Sequence, residues 1–244
     1  MLNRTDSAGI PTSTVCGCHS CTVAGITAVS RRRVLAACGG ALLAASVTRR
    51  AMAQTALSPN DALQRLMDGN RRYMAKQLSS FAEDLDILRQ NTVAKQEPFA
   101  AVLSCADSRV PVEVVFDQAI GHVFVTRVAG NICTPEIIAS LEYGAAVLGT
   151  AAIMVLGHQG CGAVKAALAA KEVPSQISAL YAPLRPAVER VGNDLTAAIQ
   201  ANVQIQANLL RTASPVLASL ISKGRLKVAA GYYNLGNGSV ELLA

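Results

Sequence analysis

The sequence has no tryptophan, and phenylalanine and tyrosine together supply only 4% of its 244 residues. With 51% hydrophobic residues, the interior is therefore an alanine- and valine-rich one, which suits helices packed on a buried sheet. Charged residues are also sparse, at 16%. So apolar a chain is not intrinsically disordered, and seven cysteines in this length do not make a disulfide-dense miniature. No apolar stretch reaches the ~20 residues of a membrane helix, which excludes a multispanning membrane protein. The length allows one large domain or two small ones with ample core.

The net charge of +6 is unevenly spread. Residues 1–53 hold six arginines and one acid, Asp6, whereas residues 54–244 hold 16 basic and 15 acidic residues. The body of the chain thus has no basic stripe, and nucleic-acid binding loses its electrostatic argument.

The basic N-terminal part reads as an address. Arg31-Arg32-Arg33 precede an apolar run from Val34 to Val47, followed by Arg49-Arg50 and the small-residue cleavage pattern Ala51-Met52-Ala53. This resembles a bacterial twin-arginine export signal, with Val34 where phenylalanine is usual. It predicts cleavage between Ala53 and Gln54 and a periplasmic or otherwise exported product without stable membrane anchoring. Leu35-Ala36-Ala37-Cys38 mimics a lipidation box, but it opens the apolar run instead of closing it. Cys16, Cys18, His19 and Cys21 crowd four soft-metal donors into six residues. They precede the cut, or even the true translation start, and receive no role in the mature protein. The expected organisation is an export signal with a long extension at 1–53, then a single domain at 54–244.

Within that domain, Ser58-Pro59-Asn60 starts an amphipathic helix that runs to about Lys76, with Ala62, Leu63, Leu66 and Met67 on one face. A second helix is expected around Asp84 to Val93. Strands are predicted at Phe99–Ser104, Val123–Val128, Ala151–Leu156 and Leu226–Tyr232, with a short edge strand at Val240–Leu243. Thr134-Pro135-Glu136 provides an N-cap, a first-turn proline and an acid at the positive helix end, starting a helix to about Val147. Strands separated by helices imply an α/β fold: a mostly parallel central sheet flanked by helices. In such sheets ligands bind beyond the carboxyl ends of the strands.

Chemistry-bearing residues cluster at those ends. Cys105-Ala106-Asp107-Ser108-Arg109 follows the first strand and Gly157-His158-Gln159-Gly160-Cys161-Gly162 follows the third. The thiolates of Cys105 and Cys161 with the imidazole of His158 are a donor set for tetrahedral zinc, with glycines allowing close backbone approach.

Those motifs, with Phe124 to Asn131, Ser140-Leu141-Glu142-Tyr143-Gly144 and Gly238-Ser239-Val240-Glu241, resemble the β-class carbonic anhydrases from about Asn60 to the C-terminus. One departure is His122, where many relatives carry an acid. The resemblance implies one Zn2+ per chain on Cys105, His158 and Cys161, and reversible hydration of carbon dioxide to bicarbonate by zinc-bound hydroxide. It also implies that Asp107 and Arg109 form a catalytic dyad: Asp107 aims the hydroxide and Arg109 keeps Asp107 ionised. In a closed state Asp107 could instead become the fourth zinc ligand. The Trp-containing bicarbonate side site of some relatives is absent here. Gln118 could donate to bound substrate or be a surface-loop residue, and His122 could relay protons or be an exposed loop histidine. Arg127 and Tyr232 are assigned to packing and pairing, and Cys133 to an unpaired thiol. Expected partners are CO2 and bicarbonate, plus a second copy in a homodimer or homotetramer, with the N-terminal helices packing on the partner subunit. The competing readings are hydrolysis of a CO2 analogue such as carbonyl sulfide or carbon disulfide, and a non-catalytic zinc or thiol redox protein.

Overall fold

A computed structural model describes residues 55–80, 93, 95–170 and 172–244. The export signal, the cluster from Cys16 to Cys21 and nearly all of the helix expected around Asp84 to Val93 lie outside the described residues.

The first helix among the described residues, α1 (Pro59–Met74), begins where expected. The Ser58 hydroxyl accepts the Asp61 N–H at 3.2 Å and Pro59 occupies the first turn. Ala62, Leu63 and Leu66 face the core. Gly69, on the same helix, has no side chain because α1 there crosses the backbone carbonyl of Phe116, where any Cβ would collide. Asn70 beside it is almost fully buried. Its amide donates to Val115 O at 3.1 Å and Gly238 O at 2.9 Å, and its carbonyl accepts the Val240 N–H at 2.9 Å.

Next come β1 (Ala100–Ser104), the single turn α2 (Val112–Val115) and β2 (Val123–Arg127). Helix α3 (Pro135–Glu142), capped by Thr134 as expected, continues as a π-helical turn over Tyr143–Val147. Beyond β3 (Ala152–His158) lie α4 (Gly162–Leu168), a 3₁₀ turn at Ser175–Leu180, α5 (Tyr181–Val191), α6 (Leu195–Ala213) and α7 (Pro215–Ser222). Strands β4 (Lys227–Tyr233) and β5 (Val240–Leu243) end the fold. The sheet order is β2-β1-β3-β4-β5, parallel except for the antiparallel edge strand β5. All five strands thus sit within two residues of the sequence-predicted bounds. The most consequential shift is at β3, which runs on to include His158.

Strand residues alternate between two apolar layers. Ala100, Val102, Met154 and Leu156 pack with α1 and α2, while Ala101, Leu103, Ile153 and Val155 pack with α3, α6 and α7. The chain leaves β1 for β2 on one side and returns to β3 on the other, so strand order reverses between β1 and β3. That reversal opens a crevice at their carboxyl ends. The β1–β3 register pairs Ser104 with Leu156, setting Cys105 level with the end of β3.

Asp117 is buried with a left-handed backbone (φ 44°) and tethers the segment after α1. Its carboxylate accepts Arg72 Nε at 2.5 Å, Ser79 N and Oγ at 2.9 Å and Ser80 N at 3.0 Å. Burial opposes its ionisation, but Arg72 and the serine donors outweigh that and hold its carboxyl well below the usual range. A depressed native pKa gives stability that is complete above the unfolded value, about pH 4, and is lost as pH falls through the native value. Asp117→Asn should therefore cost roughly 2 kcal/mol at pH 7, a deficit that shrinks below about pH 4. Urea titrations at pH 7 and pH 3.5 check this, and an unchanged deficit at both would contradict it.

Candidate metal centre

Cys105 follows β1 directly, and its sulfur accepts the Gly130 N–H at 3.3 Å. His158 ends β3. The Gln159-Gly160 turn, for which Gly160 supplies a φ of 66°, then brings Cys161 to the start of α4. A Cβ on Gly160 or Gly162 would meet open space, whereas one on Gly157 would strike Val203. The close approach expected of this glycine-rich stretch is therefore made at Gly157, where α6 crosses β3, and Gly160 serves the turn.

The ligand atoms of Cys105, His158 and Cys161 all lie within 4.8 Å of one another, and all three side chains are buried. The two sulfurs are 3.9 Å apart, close to the ~3.8 Å span that tetrahedral coordination with zinc–sulfur bonds of ~2.3 Å requires. His158 Nδ1 lies 3.0 Å from the Gln159 carbonyl, which can only accept. The proton therefore sits on Nδ1 and the Nε2 lone pair faces the sulfurs. Nε2 is buried without a hydrogen-bond partner. A buried acceptor left unpaired is costly, and a metal ion satisfies it. The donor set fits zinc.

Asp107 stands beside this cluster, its Oδ2 3.8 Å from His158 Nε2. Arg109 grips it in a fork: Nε donates to Oδ1 at 2.9 Å, Nη2 to Oδ2 at 2.8 Å, and the Arg109 N–H to Oδ1 at 3.0 Å. The hydrogen bonds from Arg109 hold the Asp107 carboxyl well below the usual carboxylate range. The pair forms the wet side of the site, since the Asp107 side chain is 17% and that of Arg109 57% exposed. Arg127, at the end of β2, fixes the same loop from behind by donating to Cys105 O at 3.0 Å and Asp107 O at 2.6 Å. The pairing assigned to Arg127 is thus a clamp on the backbone that carries both functional side chains.

Between the sulfurs, Cys105 carries the lower pKa, through the hydrogen bond from Cys161, with help from the Gly130 N–H against the opposing effect of burial. The same hydrogen bond and burial push Cys161 up. Cys133 is a buried free thiol, raised by burial to about 12, and so is unpaired and unreactive.

Gln118 lies elsewhere in the chain. Its amide donates to Phe116 O at 2.8 Å, and with His122, Arg65, Arg72 and Asp117 it lines a cavity of about 340 Å³ that includes none of the five residues around the metal centre. His122 Nδ1 lies 3.4 Å from Arg65 Nη2. Sequence reasoning did not single out the Gly130 N–H, although its glycine lies within the Phe124–Asn131 motif.

The same architecture and residues recur in known proteins. Residues 100–240 match the family model described as carbonic anhydrase. The chain belongs to the carbonic anhydrase family. It is 34% identical over 199 residues to a carbonic anhydrase of Mycolicibacterium smegmatis, spanning 76% of this chain and 93% of that protein. A Coccomyxa β-carbonic anhydrase, solved with acetazolamide, superposes with a TM-score of 0.60 at 27% identity, covering 74% of this chain and 86% of that one. One of two tetrameric β-carbonic anhydrases of Sordaria macrospora shares the fold, with a TM-score of 0.62 at 21% identity over 75% of this chain and 98% of that one. This carbonic anhydrase is thus of the β class, an enzyme interconverting CO2 and bicarbonate. Its paired motifs meet at the crevice between β1 and β3. No helix among the described residues is long and apolar enough to cross a membrane.

Proposed function

We infer that the enzyme works with one zinc ion held by Cys105, His158 and Cys161, and that Asp107 and Arg109 are its catalytic dyad. The observation carrying this reading is the buried, unpartnered Nε2 of His158 facing two sulfurs 3.9 Å apart, with an ionised carboxylate alongside. Zinc in such a site supplies a water acidified to near neutrality and polarised for attack. The chain's own residues then aim it. Asp107 is ionised and acceptor-only, so it takes a hydrogen bond from the attacking oxygen and turns that oxygen's lone pair toward the carbon of CO2. Arg109 fixes both carboxylate oxygens, so Asp107 neither rotates nor picks up the proton. This fork favours an orienting Asp107 over one that ligates zinc in a closed state. The apolar wall of Ile132, Val164 and Tyr232 excludes competing water from the sulfur side. A thiol redox role has no use for the dyad.

The oligomer is read as a homodimer or homotetramer. In that assembly the N-terminal helices pack between subunits, and any contact of Gln118 with substrate is made in a neighbouring copy, because its own cavity is separate from the metal centre. The Sordaria proteins are described as tetrameric. The twin-arginine pattern ending at Ala53 supports export of residues 54–244 as the mature domain. On that route folding and zinc insertion precede translocation, which protects Cys105 and Cys161 from oxidation.

The test is stopped-flow CO2 hydration on residues 54–244 alongside the zinc content of the same sample. One zinc per chain, activity well above buffer, and loss of both on chelation at low pH, with recovery on adding zinc, are expected. Stoichiometric zinc with a rate no better than buffer would overturn the reading.

A further inference from the structure

Helix α6 carries two amide side chains where apolar residues would be expected: Asn202 is fully buried and Gln206 nearly so. They are one turn apart and joined, Gln206 Nε2 donating to Asn202 Oδ1 at 3.1 Å and to Pro183 O at 3.3 Å. Both reach the loop after β2. Asn202 Nδ2 donates to Gly130 O at 2.9 Å, and Gln206 Oε1 accepts the Cys133 N–H at 2.9 Å. Gly130, held at φ 79° against Leu184 and Ala163, gives its carbonyl to Asn202 and its N–H to the Cys105 sulfur.

The geometry points to Asn202 and Gln206 as positioning residues of the metal centre, an amide brace that holds the Gly130 N–H on the Cys105 thiolate. A hydrogen bond to a thiolate withdraws charge from sulfur, offsetting part of the strong donation that two thiolates bring to a metal. A buried polar network of this kind stays rigid when every member is satisfied. Here Asn202 and Gln206 place their amides entirely on backbone and on each other, with none turned to solvent. The brace rests on the reading of Cys105 as a zinc ligand and adds a control on that sulfur from a helix that contributes no ligand.

The test is cobalt substitution, in which sulfur-to-metal charge-transfer bands report the charge on the thiolates. In Asn202→Leu and Gln206→Glu these bands should shift, and zinc affinity measured by chelator competition should fall about tenfold to a hundredfold. Arg211→Ala is the control: Arg211 lies on α6 but donates to Val228 O at 2.8 Å, away from the loop. It should lower Tm and move neither the bands nor the affinity. A wild-type measurement stands whether or not the variants fold. In the cadmium-113 protein, the Gly130 amide proton should couple to the metal through the Cys105 sulfur, and the side-chain amide protons of Asn202 and Gln206 should exchange slowly. Unchanged bands and affinity in folded variants, or no coupling in the wild type, overturn the brace. A wild type that binds no metal sinks the ligand reading instead.

Discussion

Cys161→Ser is expected to empty the metal centre and lower CO2 hydration by about a thousandfold or more. The change is nearly isosteric, so packing around this buried residue is kept while the donor is changed. Serine does not ionise near neutral pH, and a neutral hydroxyl is a poor zinc ligand where a thiolate is a strong one. Loss of this donor leaves Cys105 and His158, too few to hold the ion against its hydration. Elemental analysis should find far less than one zinc per chain, and the variant should lose the added stability that zinc gives the wild type. Full zinc occupancy with a rate near that of the wild type would show that Cys161 is not a ligand.

The second large effect separates the dyad from the metal. Asp107→Asn keeps the shape of the side chain but places an NH2 donor where an acceptor is needed, and Arg109→Ala removes the fork that holds the carboxylate. Each should retain zinc and lose about a hundredfold to ten-thousandfold in kcat/KM. Arg109→Lys should rescue little, because one ammonium cannot reproduce two parallel hydrogen bonds. In the wild type Arg109 holds the Asp107 pKa well below the usual range, so Asp107 stays ionised through the neutral and mildly acid range. An acid limb in the rate near neutrality therefore belongs to another group. Asp107→Asn with wild-type kcat/KM and full zinc would remove Asp107 from the mechanism.

The site was legible in the sequence because its residues sit at strand ends, and the strands are short apolar runs with clear flanks. Cys105 and His158 are 53 positions apart, but parallel pairing of β1 with β3 makes them neighbours. The helices of residues 162–222 were harder to read. Pro183 and Pro186 break the pattern of α5, and Asn202 and Gln206 interrupt the apolar stripe of α6 at the positions that matter for Cys105. Their partners are backbone atoms of a distant loop, which no local periodicity reveals. Gln118 and His122 were ambiguous for another reason: their role depends on what faces them, and that is not written in their neighbours along the chain.

The amide of Asn70 has a consequence for how the protein is made. It joins α1 to Gly238 and Val240, groups up to 170 positions further along the chain. Contacts so remote carry the entropic cost of closing a loop of 170 positions. Helix α1 therefore cannot take its final seat until Gly238 and Val240 have emerged from the ribosome. However early the strands begin to pair, the docking of α1 waits for the segment that carries β5.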